Sequence, residues 1–152
     1  MSASTEATSG AGKGKVGIAG SLALTIVDVT TNAEIKSNAA RGPPPGDRLN
    51  GSALTVSAAS SIDSSGKAKA KDDEAGTVGV GAGVTINIVN DTTTASIDSG
   101  ARFDASSKPA NVSVTATDTN TMTSYAEAGT KGAAGSDAAI SADVRKRRII
   151  RV

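Results

Sequence analysis

The side chains in this sequence that could do chemistry are few in kind. The 152 residues include neither histidine nor cysteine. Without histidine the commonest general base and metal ligand is missing, and Ser/His and Cys/His nucleophile systems are excluded. Without cysteine there is no disulfide framework and no thiolate metal site. Carboxylates remain, and polysaccharide-cleaving enzymes do work with Asp/Glu pairs. The densest run, Asp72-Asp73-Glu74, could supply oxygen ligands to Ca²⁺. It reads better as a solvated turn between two repeats, because acidic residues do not recur at equivalent places: Asp28 aligns with Asn90, and Lys36 with Asp98. The RTX calcium nonapeptide is absent. Gly12-Lys13-Gly14-Lys15-Val16-Gly17 matches GxGxxG, but no strand precedes it and no helix follows. It also fails as a P-loop, with Val16 where Ser or Thr is needed and Ser9 in place of the first glycine. The reading is of a protein that is not an enzyme, with no catalytic residue, cofactor or metal.

Two rows of residues could bind rather than react. Thr115, Thr117, Thr119, Thr121 and Thr123 share one parity, so a strand would display them as a flat array of hydroxyls suited to glycan or ice. Threonine is also simply a good strand-surface residue. Gly79, Gly81 and Gly83 form a bare row that leaves room for another backbone, a possible self-association face. Arg145, Lys146, Arg147, Arg148 and Arg151 crowd the C-terminus. Such a cluster can be a nucleic-acid or membrane-surface arm, but here it reads as a tail outside the repeat, non-native or disordered, with no nucleic-acid partner.

The elements that must carry these rows are strands. Val78 to Ile97 reads VGVGAGVTINIVNDTTTASI, apolar on one parity and Gly/Thr/Asn on the other. Val16 to Ile35 repeats it without a gap at an offset of about 62 residues. Leu54 to Ala58 is repeated at Val112 to Ala116, at an offset of about 58. The Pro-rich Arg41 to Leu49 accommodates the difference as a loop. Alternation predicts that Val16, Val78, Leu24, Ile86, Ile26 and Ile88 are buried, since a one-residue slip would turn the whole set outward. A strand through Val78 to Asn90 would run about 40 Å, which predicts a bend near Gly81 or Gly83 and about three rungs of ~20 residues per repeat.

The expected fold is all-β, a parallel β-helix (β-solenoid) segment; the alternative is an antiparallel sheet or sandwich of long hairpins. The expected organisation is a linker-like N-terminus over 1–15, repeats over 16–75 and 76–134, a truncated third repeat over 135–144 and the basic tail over 145–152. Met1 to Thr5 lacks the basic start and apolar run of a signal peptide, and residue 2 already reads as the middle of a linker, as in an excised fragment with an added Met. No apolar run reaches the ~20 residues of a membrane span. One Phe, one Tyr and no Trp predict a thin core built from small and β-branched side chains.

The TTTASIDSGARF and NVSVTATDT segments, with GVGAGVTINIVN ahead of them, resemble the repeats of very large bacterial surface adhesins of the filamentous-haemagglutinin-like and autotransporter-like kind. The resemblance covers residues 14 to 144. It implies a right-handed β-helix in a secreted or cell-surface bacterial protein, structural or adhesive and non-catalytic, and it supplies no functional residues. Exposed strand edges at both ends of such a segment predict a homo-oligomer, with a glycan or host-surface ligand as a possible partner.

Overall fold

The computed structural model of the protein describes residues 1–11, 14–36, 52–72, 75–101, 109–130 and 134–151. Within them the chain forms six strands: β1 (Ser2–Gly10), β2 (Gly14–Ile35), β3 (Ala53–Asp72), β4 (Ala75–Ile97), β5 (Asn111–Thr130) and β6 (Ala134–Arg151). Odd-numbered strands make one three-stranded sheet, ordered β1-β3-β5, and even-numbered strands the other, β2-β4-β6. The chain therefore changes sheet at every connection, and no two consecutive strands pair as a hairpin. β1 and β3 pair in parallel, from Ser2 opposite Asp63 to Gly10 opposite Lys71. At the far ends of β2 and β4, the Asp98 N–H donates to the Ile35 carbonyl at 2.9 Å. In a parallel ladder that bond sets Ile35 beside Ile97, the residue it aligns with in the second repeat. The fold is all-β with parallel strands in two sheets.

The strands are longer than expected. β4 passes Gly81 and Gly83 without a break, and β2 runs straight through Thr30-Thr31-Asn32. Each repeat of about 60 residues makes two strands of about 20 rather than three rungs. Glycine permits a bend but does not impose one, and here the continuous ladder keeps the backbone extended. Ser2–Gly10, which composition reads as a loose linker, is a strand held by β3. Arg145 to Arg151 belongs to β6. The Pro-rich loop at 41–49 lies outside the described residues.

The chain divides into two compact units: Met1–Asp28, Ile62–Asn90 and Asn120–Lys146 form one, and Val29–Ser61, Asp91–Thr119 and Arg147–Val152 form the other. In the second unit Val56, Ala58, Ala95 and Ala116 make a small apolar core, flanked by Ile35, Leu54, Ile97 and Val114. In the first unit the interior is of a different kind. Ala19, Ala23 and Thr25 from β2 are buried with Thr85 and Asn87 from β4 and Ser64 and Ala68 from β3.

This inverts the expected register. Thr85 and Asn87 are fully buried, whereas Val16, Leu24, Ile26 and Val78 are exposed and Ile86 and Ile88 half-buried. The equivalence of the repeats still holds: Val16 and Val78 face outward together, and Ala23 with Thr85, Thr25 with Asn87, and Val27 with Val89 face inward together. The reason is the closeness of the two sheets. A Cβ on Gly83 would lie 2.5 Å from the Glu127 carbonyl oxygen of β5, and one on Gly66 would lie 2.6 Å from Thr85 Cγ2. Sheets packed through Val and Leu stand about 10 Å apart. At the separation found beside Gly66, Gly81 and Gly83 only small side chains fit, and the larger buried ones, Val27, Ile62 and Val89, lie at the other end of the first unit.

Candidate functional site: the outward faces of the two sheets

The outward faces are held in place by a polar seam between the sheets. Ser64 Oγ donates to Asn87 Oδ1 at 2.6 Å, and Asn87 Nδ2 donates back to the Ser64 carbonyl at 3.1 Å. Thr85 Oγ1 donates to the Tyr125 carbonyl at 2.8 Å, and Thr25 Oγ1 to the Ser65 carbonyl at 3.3 Å. In the second unit Ser60 Oγ donates to buried Asp91 Oδ2 at 2.8 Å. These hydroxyls and the Asn87 amide are thus satisfied across the gap, as burial requires, whereas the buried Ser9 and Ser21 hydroxyls have no hydrogen-bond partner among the described residues. Asn is compact enough for the gap and carries both a donor and an acceptor, so one residue closes two bonds with a single serine.

The seam fixes which parity points out. In the first unit the outward positions of β2 are Val16, Ile18, Gly20, Leu22, Leu24 and Ile26. The five large ones are 47–73 % exposed. Beside them β4 presents Val78, Val80, Ala82, Val84, Ile86 and Ile88, and β6 adds exposed Ile140 and Val144. No charge interrupts these rows. Gly20 lies next to Ala82, where an added Cβ would stand 4.0 Å from the Ala82 carbonyl oxygen, so the face has a shallow central depression. Along β2 the apolar row stops at Ile26, and Asp28 is the next outward residue. An apolar patch of this extent is uncommon on a surface facing only water.

The other sheet turns a polar face outward. Thr115, Thr117 and Thr119 are exposed in one unit, and Thr121 and Thr123 in the other, so all five candidate ligand residues lie on the outward parity of β5. Tyr125 follows on the same parity, half exposed, with the Lys67 ammonium 5.8 Å from its ring centre and its hydroxyl donating to Glu127 Oε2 at 3.0 Å. A cleft of about 460 Å³ is lined by Asn120, Thr121, Met122, Asp143 and Arg145.

The basic segment is not a free arm. Arg145 donates to the Asn120 carbonyl at 3.1 Å, and Arg147 Nε lies 3.4 Å from the carboxylate of Asp118, whose side chain is buried. Ser124 bonds to Asp143. Odd residues of β6 therefore point toward β5, and Lys146 and Arg148 point away.

Gly79, Gly81 and Gly83 are buried. A Cβ on Gly81 would lie 3.0 Å from the Gly129 carbonyl oxygen. The close backbone approach expected at this row is made by the chain's own β5, which leaves no free glycine face for a second molecule. Asp73, Glu74, Gly12 and Lys13, of the acidic turn and the GxGxxG match, lie outside the described residues. Among the described residues no three acidic side chains gather as a metal site, and no helix is long and apolar enough to cross a membrane.

Parity alone missed the apolar face, because it names the greasy side as the core. A signal for it does exist in β3. There Asp63, Lys67 and Lys69 occupy one parity and must face water, leaving Ser64, Gly66, Ala68 and Ala70 inside. A small inner face on one strand lets the facing strand approach closely, and where it does so only small side chains fit opposite.

Among the described residues, fold and surface together define an all-β, parallel-stranded protein with an apolar face on one sheet and a hydroxyl-rich face on the other. No family model, no curated protein and no solved structure matches the chain.

Proposed function

We propose that the protein is a β-solenoid segment with a structural and adhesive role in a large secreted or cell-surface bacterial protein, non-catalytic and self-associating. The observation that carries this reading is the alternation of strands between two sheets at the sequence period, with Ser2 opposite Asp63 and equivalent residues in equivalent environments. In such an architecture each repeat is one coil, neighbouring coils satisfy each other's backbone hydrogen bonds, and length is added without new design. The absence of histidine and cysteine fits a scaffold better than a catalyst. The resemblance to adhesin repeats agrees with an extracellular setting.

The test is to lengthen the stack. Inserting five further copies of residues 53–110 after residue 110 should extend the particle by about 24 Å in electron micrographs, at ~4.8 Å per coil, and raise the unfolding temperature. Beads on a string, each copy adding tens of ångströms, would overturn the reading.

A second reading, a glycan-binding module, is favoured in the first unit by exposed Thr121 and Thr123 leading to exposed Tyr125 on β5. A flat hydroxyl array beside an aromatic ring suits a sugar surface, with the ring stacking on the sugar's C–H face and the hydroxyls pairing with its polar edge. Thr119→Tyr and Thr121→Tyr, made singly, are expected to abolish binding on a glycan array while leaving the melting curve within about 1 °C of the parent, because outward substitutions on a strand change stability little. Retained binding in both variants would dismiss the Thr row.

A further inference from the structure

We infer that the outward apolar face of β2-β4-β6 is a homodimer interface, closed by a two-fold axis that runs along the strands. This inference rests on the self-associating part of the proposed function and names its surface. Size is the first argument. Three strands at ~4.8 Å spacing, over the ~33 Å from Val16 to Ile26, give a footprint of about 480 Å² per copy. Two copies bury about 1,000 Å², the lower bound for a specific interface. Chemistry is the second. The outward rows of Val, Ile and Leu carry no charge, so they offer no complement to an acidic or basic partner, whereas a second identical face complements them fully. The depression at Gly20 and Ala82 lies in the middle, where a partner's Leu or Val can enter.

Charge at the rim selects the orientation. Thr85 bonds to Tyr125, Ser124 to Asp143 and Arg145 to Asn120. Read across the sheets, with β2 and β4 offset by about 62 residues, these contacts place Lys146 within a residue or two of the level of Asp28. Asp28 and Lys146 are both exposed and lie on opposite edge strands. A two-fold axis along the strands lays β2 over the other copy's β6 and sets Asp28 against Lys146 of the partner subunit, twice by symmetry. Turning one copy end for end loses both pairs.

Sedimentation of the full chain at tens of micromolar is the experiment. The unaltered protein should run as a dimer. Ile18→Lys with Leu24→Lys should weaken dimerisation at least a hundredfold with an unchanged β circular-dichroism spectrum, as expected when central apolar contacts are replaced by charge. Ile18→Thr with Leu24→Thr keeps β propensity and should give the same shift if the lysine pair fails to fold. Asp28→Lys alone should weaken the dimer severalfold, and adding Lys146→Asp should restore it. Undiminished association of a folded lysine or threonine pair would overturn the proposal and point to strand edges instead. A strictly monomeric parent would overturn it too, as would a monomer that floats with phosphatidylcholine vesicles, which would assign the face to lipid. Neither result touches the coil-lengthening test, so the solenoid reading stands or falls separately.

Discussion

Replacing Asn87 by Asp should cost the fold about 3–5 kcal/mol at neutral pH, the scale set by an uncompensated buried charge. Asn87 is fully buried and both of its side-chain bonds end on Ser64. The carboxylate would keep the Ser64 hydroxyl as a donor. It would also set an anionic oxygen about 3.1 Å from the Ser64 carbonyl, where an N–H stands now. Protonation repairs the pair, because a neutral acid donates where the amide did. The new carboxyl is therefore held above the ~3.9 of an unfolded Asp. Between the unfolded and the raised folded value the unfolded chain has lost the proton that the folded chain keeps, so stability falls as pH rises. In urea titrations from pH 4 to pH 8, the gap between variant and parent should widen with pH. A gap that is constant, or below about 1 kcal/mol, would mean that water reaches position 87.

The second large effect is expected at Gly83→Leu. Its first added atom would meet the Glu127 carbonyl oxygen at 2.5 Å, the carbonyl carbon at 3.1 Å and the amide nitrogen at 3.4 Å. These are backbone atoms of a strand, tied into a sheet, and cannot swing aside as a side chain can. Overpacking usually costs 1–3 kcal/mol, and a backbone obstacle puts this case at about 3 kcal/mol or more. At ~2–4 °C per kcal/mol for a chain of this size, the melting temperature should drop by about 6–12 °C. Gly20→Ala is the matched control: it faces outward, its nearest neighbour is an ordinary contact at 4.0 Å, and its effect should stay within about 0.5 kcal/mol. Equal losses in the two variants would mean that glycine is needed for chain flexibility rather than for space.

Strand type, the two-residue alternation and the correspondence between the two copies were legible in the sequence, because each depends only on local periodicity or on repetition; that corresponding residues also lie side by side was not, because three rungs per repeat would have kept them apart. Ile35 beside Ile97 is the clearest instance. What the alternation could not supply was the sign of each face. Hydrophobic parity assigns Ile86 to the core, yet the space there is set by how near β5 passes to Gly81 and Gly83, a fact about three strands and not one. The thin core predicted from the missing aromatics was correct in kind: it is thin enough to exclude Val and Leu from most of the first unit. The basic segment was misread for a similar reason. Arg147 looks like part of a tail until Asp118, nearly thirty residues away, is seen to face it.

The inward-outward division along each strand governs how such a chain can change over generations. Comparing its own two copies, Gly17 and Gly79, Val27 and Val89, and Ala33 and Ala95 stay the same inside, while Asp28 against Asn90 and Lys36 against Asp98 vary outside. Where an inner residue does change, it stays small or finds a partner: Ala19 and Ser21 become Gly81 and Gly83, Ala23 becomes Thr85 bonded to the Tyr125 carbonyl, Thr25 becomes Asn87 bonded to Ser64, and Val29 becomes Asp91, which accepts from the Ser60 hydroxyl. Point substitutions on outer positions can thus alter what is displayed with little consequence for folding. A single-residue deletion within β4 has no such latitude. It would send every residue beyond it to the wrong side, forcing Ile86 and Ile88 into a space cut for Thr and Asn. Changes in length should therefore be inherited through the loops, or as whole repeats gained and lost together.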